Sequence, residues 1–566
     1  MHTQFTYEER IAFFSMEIAF DNDIPTYSGG LGVLAGDALL AAADMGIPLV
    51  GVTLVSREGY FRQLIDAEGR QMEMPDPWDP AGRAQALNAT VAVEIGGREV
   101  WVRGWLEVVK GRAGDGIPVI LLDTDLGQNH VDDRLITHHL YGDGDDYRIK
   151  QEIVLGIGGV RLLHALGFRI RKYHMNEGHS AFLTIELLNR FRYAATDVHP
   201  DESPYDAPRV RQLCNFTTHT PVEAGHDKFS YELVQQTLTD GIDMVWLRHF
   251  AGADVLNMTQ LALNLSQYVN GVAKRHATLS KTLFPGHAVQ AITNGVHAYR
   301  WTAPALAQLY NEYVPGWDYE PELLVRADRI PDALIARAHQ QCRRDLIEQI
   351  RAATSIQFKP DIPVIGFARR MTGYKRPGLL FSDLERLRRI AQRWPFQIVL
   401  AGKAHPKDGQ GKYLIETLHR HMRELRDVIP IAFLPDYDLD MARAMVAGAD
   451  VWLNTPQRPL EASGTSGMKA ACNGVPQLSV LDGWWIEGCI EGVTGWAIGD
   501  DAETSNGGDM QSLYDKLEFT VLPLWHEAAG QSPGWVSVMK GAISKSASYF
   551  NSHRMMRRYT TEVYVR

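Results

Sequence analysis

The stretch VIGFARRMTGYKRPGLLFSDLERLRRIAQRWPFQIVLAGKA, residues 364–404, decides the fold class. It opens on a short apolar run, breaks at a basic turn, continues through helix-forming residues and closes on a second apolar run. Strand, turn, helix and strand in that order form the repeating unit of a parallel α/β sheet. The pattern recurs downstream in YLIETLHRHMREL, IPIAFLPDY (429–437) and ADVWLNT (449–455), so this half predicts a doubly wound sheet. Upstream, IPLVGVTLV (47–55) and IPVILLDTD (117–125) predict buried strands of a second α/β lobe. In the middle of the chain, 302–358 reads as several helices, with ALIARAHQQCRRDLIEQIRAAT the clearest. The Asn-Gly pair of ITNGVHAYRW (292–301) marks a turn at the boundary. The predicted organisation is an N-terminal lobe over 1–294, a C-terminal lobe over 295–543, and a closing helix with an extended end over 544–566, placed to pack back on the first lobe. Ligands are expected between the lobes, because sheet carboxyl ends and domain clefts collect binding sites.

Bulk properties narrow the function classes. A chain of 566 residues exceeds what one hydrophobic core supports, which agrees with more than one domain. The formal charge of −11 argues against nucleic acid or an anionic membrane as partner and leaves room for a local basic pocket. The four cysteines include no C-x-x-C pair and predict free buried thiols in a reducing compartment. The opening MHTQFTYEERIAFF is charged and lacks an apolar signal core, and no apolar run reaches bilayer-spanning length. The expectation is a soluble, cytoplasmic protein.

Three segments carry chemistry on their residues alone. In RPLEASGTSGMKAACNG, glycines and hydroxyls (Ser463, Gly464, Thr465, Ser466, Gly467) crowd before an apolar helical run. Such loops aim backbone N–H groups at an anion. Lys469 follows one turn later, and a lysine withdrawn from water becomes a nucleophilic amine. Pyridoxal phosphate needs that pair of features, an amine for its aldehyde and a cradle for its phosphate. An exposed lysine beside an ordinary turn fits the same residues. The order of a nucleotide P-loop is absent. In GFARRMTGYKRPGL, Arg369, Arg370, Lys375 and Arg376 cluster around Tyr374 just past a strand, an anion site or a solvated basic turn. In TYSGGLGVLAGDALL, Gly29, Gly30 and Gly32 precede a helix, which suits backbone approach to a ligand and equally suits close helix packing.

Taken together these segments resemble the α-glucan phosphorylases of the glycogen, starch and maltodextrin type, in a short form. EASGTSGMK is similar to the family's cofactor-lysine signature, with Ser466-Gly467 where Gly-Asn is usual. The resemblance spans about Phe13 to Glu487 in the family's order and takes in KYHMNEGHSAF, FTTHTPVEAGHD, YVNGVAKRHATL, ITNGVHAYRW, PDYDLDMARAM and the gate-like LYGDGDDYRIKQE with a shortened loop. It implies two Rossmann-like lobes of the GT-B glycosyltransferase type with the active site in the cleft between them. It implies pyridoxal 5′-phosphate on Lys469, its phosphate touched by Arg369, Gly464, Thr465 and Ser466, and Tyr437 packed beside it. Arg370, Lys375, Gly30 and Leu31 would hold the substrate phosphate. Tyr374 would also contact the substrate, and His219, Asn294, Glu461, Ala462, Ser463 and Gly464 would face the glucosyl unit, with His219 on the ring, Asn294 on the 6-hydroxyl and Glu461 on the 3-hydroxyl. Asn176, Glu177 and His179 match the family's Asn-Asp-x-His stretch with Glu for Asp.

The implied reaction is reversible phosphorolysis of α-1,4-glucan non-reducing ends, giving α-D-glucose 1-phosphate with retention. The implied partners are glucan or maltooligosaccharide, phosphate and glucose 1-phosphate, with homo-oligomerisation open. In this family the cofactor's 5′-phosphate exchanges a proton with the substrate phosphate. No metal is expected, since His174 with His179, and His219 with His226, lack zinc-motif spacing. The chain begins close to the implied catalytic core, so regulation through an N-terminal arm is not expected. Two other readings stand beside this one. A nucleotide-sugar glycosyltransferase would share the glycine loop and the basic pair without needing Lys469, and a catalytically silent glucan-binding protein would need none of the cations.

Overall fold

The protein is described by a computed structural model covering residues 2–112, 114, 116–142, 144–199, 202–222, 225–239, 241–500 and 506–565. Two large sheets organise it, and the chain builds them in sequence. The first has nine strands: β1 (Glu9–Ser15), β2 (Leu49–Leu54), β3 (Gln85–Ile95), β4 (Arg98–Lys110), β5 (Gly116–Asp123), β6 (Arg169–Asn176), β7 (Cys214–Thr217), β8 (Tyr268–Gly271) and β9 (Val289–Ala291). Their order is β9-β8-β7-β6-β1-β2-β5-β4-β3. All pairs from β9 to β5 are parallel, and at one edge β4 runs antiparallel to both β5 and β3. Every residue of β2 is buried, as expected of a strand covered on both faces.

The second sheet has six strands, β10 (Val364–Ala368), β11 (Gln397–Ala401), β12 (Ile431–Leu434), β13 (Val451–Asn454), β14 (Gln477–Val480) and β15 (Gly495–Ile498). All its pairs are parallel, in the order β12-β11-β10-β13-β14-β15. This is the doubly wound order, and its direction reverses between β10 and β13. Loops leaving the carboxyl ends of those two strands diverge and leave a crevice. In the first sheet the corresponding reversal lies between β1 and β6.

The helices include α1 (Gly30–Asp44), α2 (Asp332–Thr354), α3 (Ser466–Ala471) and α4 (Ser552–Tyr559). α1 follows β1 and buries an Ala- and Leu-rich surface on the first sheet. α2 is the long helix of the middle stretch and stops at Ser355 in a left-handed conformation. One apolar core underlies the second sheet and takes in Trp301, Trp317 and Trp452, while a second and a third cover the two faces of the first sheet.

Two local expectations change. The segment after Arg376 becomes α-helical only at Leu384, because Asp383 caps the backbone N–H of Arg386 and starts the helix there. The end of the chain stays helical through Tyr564 instead of extending, since Val563 and Tyr564 are buried with Met555, Met556 and Tyr559 in the core that also holds α1. No helix among the described residues is long and apolar enough to cross a membrane.

Candidate active site

The reversal point of the second sheet carries the strongest charges. Arg369 and Arg370 leave β10 directly, Lys375 follows in a tight turn, and Glu461 lies on the loop after β13. The Glu461 carboxylate joins two of these cations. Lys375 Nζ donates to both of its oxygens at 2.8 and 2.7 Å, and Arg369 donates through Nη2 at 2.5 Å. Burial alone would raise the Glu461 carboxyl, but Arg369 and Lys375 outweigh it and hold it at about 2. Arg369 still has Nε and Nη1 buried without a hydrogen-bond partner, and Ser463 Oγ is buried and unpartnered as well. Lys375 Nζ also lies 4.5 Å from the centre of the Tyr374 ring.

Arg370 points elsewhere. Protein crowds it on several sides, with Tyr60, Glu17, Tyr374 and Tyr141 as its electrostatic neighbours, yet water still reaches it. That is the position of a cation facing into a recess. A Cβ placed on Gly29 would lie 3.5 Å from Arg370 Nη2, so the amino end of α1 meets this guanidinium. Gly30 opens the helix, is exposed and faces open space, and Leu31 beside it is half-buried. No acid occupies the first turn of α1. A guanidinium and a helix amino end converging on one space form an anion site; Glu17 takes the Ser28 and Gly29 N–H groups, and Gly30 faces the open side.

Lys469 is set in α3, only 8% exposed, with its Nζ 4.2 Å from the centre of the Trp301 ring. Burial brings its amine down to about 8; Asp37 works against the drop and Arg300 adds to it. The platform is fixed from α1: Asp37 accepts from Trp301 Nε1 at 2.8 Å, from Arg300 Nη1 at 3.2 Å and from the His297 backbone N–H at 3.1 Å. One helix therefore offers its amino end to Arg370 and, two turns on, anchors the aromatic face under Lys469. In the preceding loop Gly464 adopts a φ of 84°, Thr465 stands before the helix, and Ser466 Oγ accepts from Trp452 Nε1 at 3.0 Å. Ala462 is half-buried in the same loop. Tyr437 is half-buried beside Tyr27, and its phenol is pushed up by burial first and then by Tyr27 and Asp438.

The first sheet contributes from the carboxyl ends of β1, β6 and β7. His219 Nε2 pairs with Asn176 Oδ1 at 2.7 Å, and its backbone N–H donates to Glu177 at 2.8 Å. Burial, reinforced by His276, His174 and His179, lowers the His219 imidazole to about 3, so it is neutral at physiological pH. Burial raises the Glu177 carboxyl to about 7 against the donors His219 N–H, Thr220 Oγ1 and Gly178 N–H. Asn294 follows β9; its Oδ1 is buried without a partner. The His219 segment is described apart from residues 223 and 224, and the gate-like segment apart from residue 143.

Glu17, two residues past β1, links these parts and was not singled out in the sequence. It accepts from the backbone N–H groups of Ser28 (2.6 Å) and Gly29 (3.1 Å), and from Tyr141 Oη of the gate-like segment (2.8 Å). Its side chain fills the space that a Cβ on Gly32 would need, the contact being 2.7 Å, which explains the third glycine of that loop. Tyr141 in turn lies edge-on to His179, next to the Asn176–Glu177 corner. The signal for Glu17, and for Asp37 within GDALLAAAD, was a lone acid inside an apolar run.

The isolated histidines divide as their neighbours dictate. His174 is satisfied by Tyr564 and Thr217 and is structural. Among the described residues, Asp44, His297 and His553 bring three ligand-type atoms within 4.8 Å. There the Arg300 backbone N–H donates to His297 Nδ1 at 3.1 Å, which leaves the ring proton on Nε2, 2.9 Å from Asp44 Oδ2. A proton joins that pair where a metal would need a free lone pair.

A family model described as carbohydrate phosphorylase matches residues 227–495. The maltodextrin phosphorylase of Thermococcus litoralis is 39% identical over 99% of this chain and 71% of its own length. The glycogen phosphorylase of Mycobacterium tuberculosis is 37% identical over 98% of this chain and 70% of its own length. That of Aquifex aeolicus is 34% identical, covering 99% and 86%.

Proposed function

The chain belongs to the carbohydrate phosphorylase family, and from that premise we propose that it is an α-glucan phosphorylase, a glycosyltransferase that moves a glucosyl unit reversibly between an α-1,4-glucan end and phosphate. The carrying observation is the meeting of Arg370 with the amino end of α1, where Gly30 faces open space, beside a second set of unpartnered donors on Arg369 and Ser463. Two adjacent phosphate groups repel, so a site for both must be cationic and rich in fixed donors.

The residues fit pyridoxal 5′-phosphate. Its aldehyde needs an amine with a usable neutral fraction near neutral pH, and Lys469, brought down to about 8 on the Trp301 face, provides one that an ordinary lysine at 10.5 does not. Its phosphate needs donors, and Arg369 with Gly464, Thr465 and Ser466 would supply them, with Tyr437 alongside. When bound, the cofactor supplies a phosphate group that exchanges a proton with the substrate phosphate.

The remaining chemistry belongs to the chain's own groups. Arg370, Lys375 and the Gly30 and Leu31 backbone hold the substrate phosphate below the anomeric carbon. That phosphate protonates the departing glycosidic oxygen, the C–O bond breaks, and a phosphate oxygen bonds the anomeric carbon from the same face. Retention follows without a carboxylate nucleophile. This agrees with Glu461 being tied to Arg369 and Lys375 in the free protein. Glu461 with Ala462, Ser463 and Gly464 would take the 3-hydroxyl side of the sugar, Asn294 the 6-hydroxyl and His219 the ring, its neutrality suiting a hydrogen bond to a hydroxyl. Tyr374 would flank the phosphate. In this reading the lobes are 1–294 and 295–543, the GT-B arrangement, with the site in the cleft. The contacts of Gly29 with Arg370 and of Asp37 with the platform of Lys469 support it.

The test separates this reading from nucleotide-sugar transfer. Purified protein given maltooligosaccharide and phosphate should release glucose 1-phosphate and should not extend the glucan from a nucleotide-glucose. Extension from the nucleotide sugar without phosphorolysis would reverse the assignment.

A further inference from the structure

The last helix of the chain grips the loop that carries Asn294. Arg554, at the start of α4, donates through Nη1 to the Thr293 carbonyl at 2.6 Å and through Nη2 to the Asn294 carbonyl at 2.9 Å, while its Nε donates to the Tyr549 carbonyl at 2.9 Å. One planar guanidinium thus fixes two consecutive carbonyls of the loop and ties them to its own segment. Asn551 Oδ1 caps the Arg554 N–H at 2.8 Å and sets the side chain's direction.

The grip continues on both sides. Val296 exchanges backbone hydrogen bonds with Phe550 and Ser552 at 3.1 and 2.8 Å. Only glycine fits at 295, where a Cβ would lie 2.1 Å from the Asn551 carbonyl oxygen. His297 and His553 face one another across Asp44, at 2.9 and 3.3 Å from its Oδ2. From the opposite side Glu487 accepts from Thr293 Oγ1 at 2.9 Å, and the Asn294 N–H donates to Val272. With its backbone held at both ends, Asn294 keeps Oδ1 buried and unpartnered, a state that costs free energy unless something fills it.

We propose that Arg554 is a positioning residue for sugar recognition: it holds the Thr293–Asn294 carbonyls so that the Asn294 side chain stays aimed at the transferred glucosyl unit. The inference rests on the reading of Asn294 as the contact to the sugar's 6-hydroxyl. It makes the C-terminal segment part of the specificity apparatus as well as of the fold.

The readout is a ratio, kcat/KM for α-glucose 1-phosphate over its 6-deoxy analogue, measured in glucan synthesis with Asn294→Ser, Arg554→Met and Arg554→Lys. A site built around a hydroxyl rejects the analogue lacking it, so the unaltered protein should discriminate strongly. Asn294→Ser and Arg554→Met should each lower the ratio at least about tenfold, with Arg554→Lys between, and Arg554→Met should leave the KM for phosphate within about twofold. Melting temperatures are taken in parallel; a merely structural role would lower them and leave the ratio alone. If Asn294→Ser lowers the ratio and Arg554→Met does not, the positioning role is overturned. If Asn294→Ser leaves the ratio unchanged, the reading of Asn294 falls and the inference with it. Should Arg554→Met fail to fold, Arg554→Lys decides, and an unchanged ratio there overturns the proposal.

Discussion

Replacing Glu461 by Gln removes the one negative charge that sits between Lys375 and Arg369. The Glu461 carboxylate is 2.5 to 2.8 Å from both cations and is held at about 2, against an ordinary 4.5. Each tenfold change in proton affinity is worth about 1.36 kcal/mol, so the folded state favours the charged form by about 3 kcal/mol. Because the folded value lies below the unfolded one, this contribution is fully present above pH about 4.5 and is lost as pH falls toward 2. Gln keeps one acceptor and loses the charge, which leaves two buried cations facing one another, and breaking a buried pair costs about 3–5 kcal/mol. With roughly 2–4 °C lost per kcal/mol in a domain of this class, Glu461→Gln should melt about 6–20 °C lower at pH 7. The gap should narrow below pH 4.5. Freed from their carboxylate, Lys375 and Arg369 attract anions more strongly, so the KM for phosphate should fall while turnover on glucan drops. Differential scanning fluorimetry at pH 7 and pH 3.5, with initial rates at varied phosphate, reads both effects. An unchanged melting temperature together with an unchanged or raised KM for phosphate would refute the claim that Glu461 restrains these cations.

Arg370→Ala should lower turnover at least about a hundredfold, the scale of losing one preorganised charged donor, and weaken phosphate much more than glucan. Varying each substrate at saturation of the other measures this, and a defect confined to glucan binding would move the phosphate site elsewhere. The rate at which cofactor-free protein takes up pyridoxal phosphate should rise with pH about a midpoint near 8, since only the neutral Lys469 amine reacts. Stopped-flow absorbance across pH 6.5–10 would show it, and a midpoint near 10 would mean that the amine is not withdrawn from water. The same burial makes folding stability rise between pH about 8 and 10.5, where the unfolded chain holds the lysine proton and the folded chain has released it.

β2 and β5 of the first sheet and β10 to β13 of the second were legible because they are almost wholly buried and read as unbroken apolar runs. Val364–Ala368, Gln397–Ala401, Ile431–Leu434 and Val451–Asn454 each fall inside an apolar run plain in the sequence. The β3–β4 hairpin escaped because its residues alternate between buried and exposed, although the Gly96-Gly97 turn, with φ of 59° and 72°, is a hairpin signal in plain view. The charged loops were legible as loops. Their pairing was not: Arg369 and Lys375 meet a carboxylate 86 or more positions away, and nothing in a local window says that Glu461 faces them. Glu17 and Asp37 were hidden for the opposite reason. Each is a single acid in an apolar stretch, and its importance arises only from backbone N–H groups and a tryptophan brought in by folding. The helical end of the chain depended likewise on a distant partner, the face of α1 against which Met555, Met556 and Tyr559 pack.

Borohydride reduction of the purified protein, followed by peptide mapping, reads directly whether a cationic phosphate site has been joined to a cofactor lysine. One pyridoxyl group per chain on the peptide containing Lys469, and its loss in Lys469→Ala, is the expected result. Active, phosphate-dependent protein that carries no pyridoxyl group, or carries it on another lysine, would contradict the assignment of Lys469 and of the donors built around it.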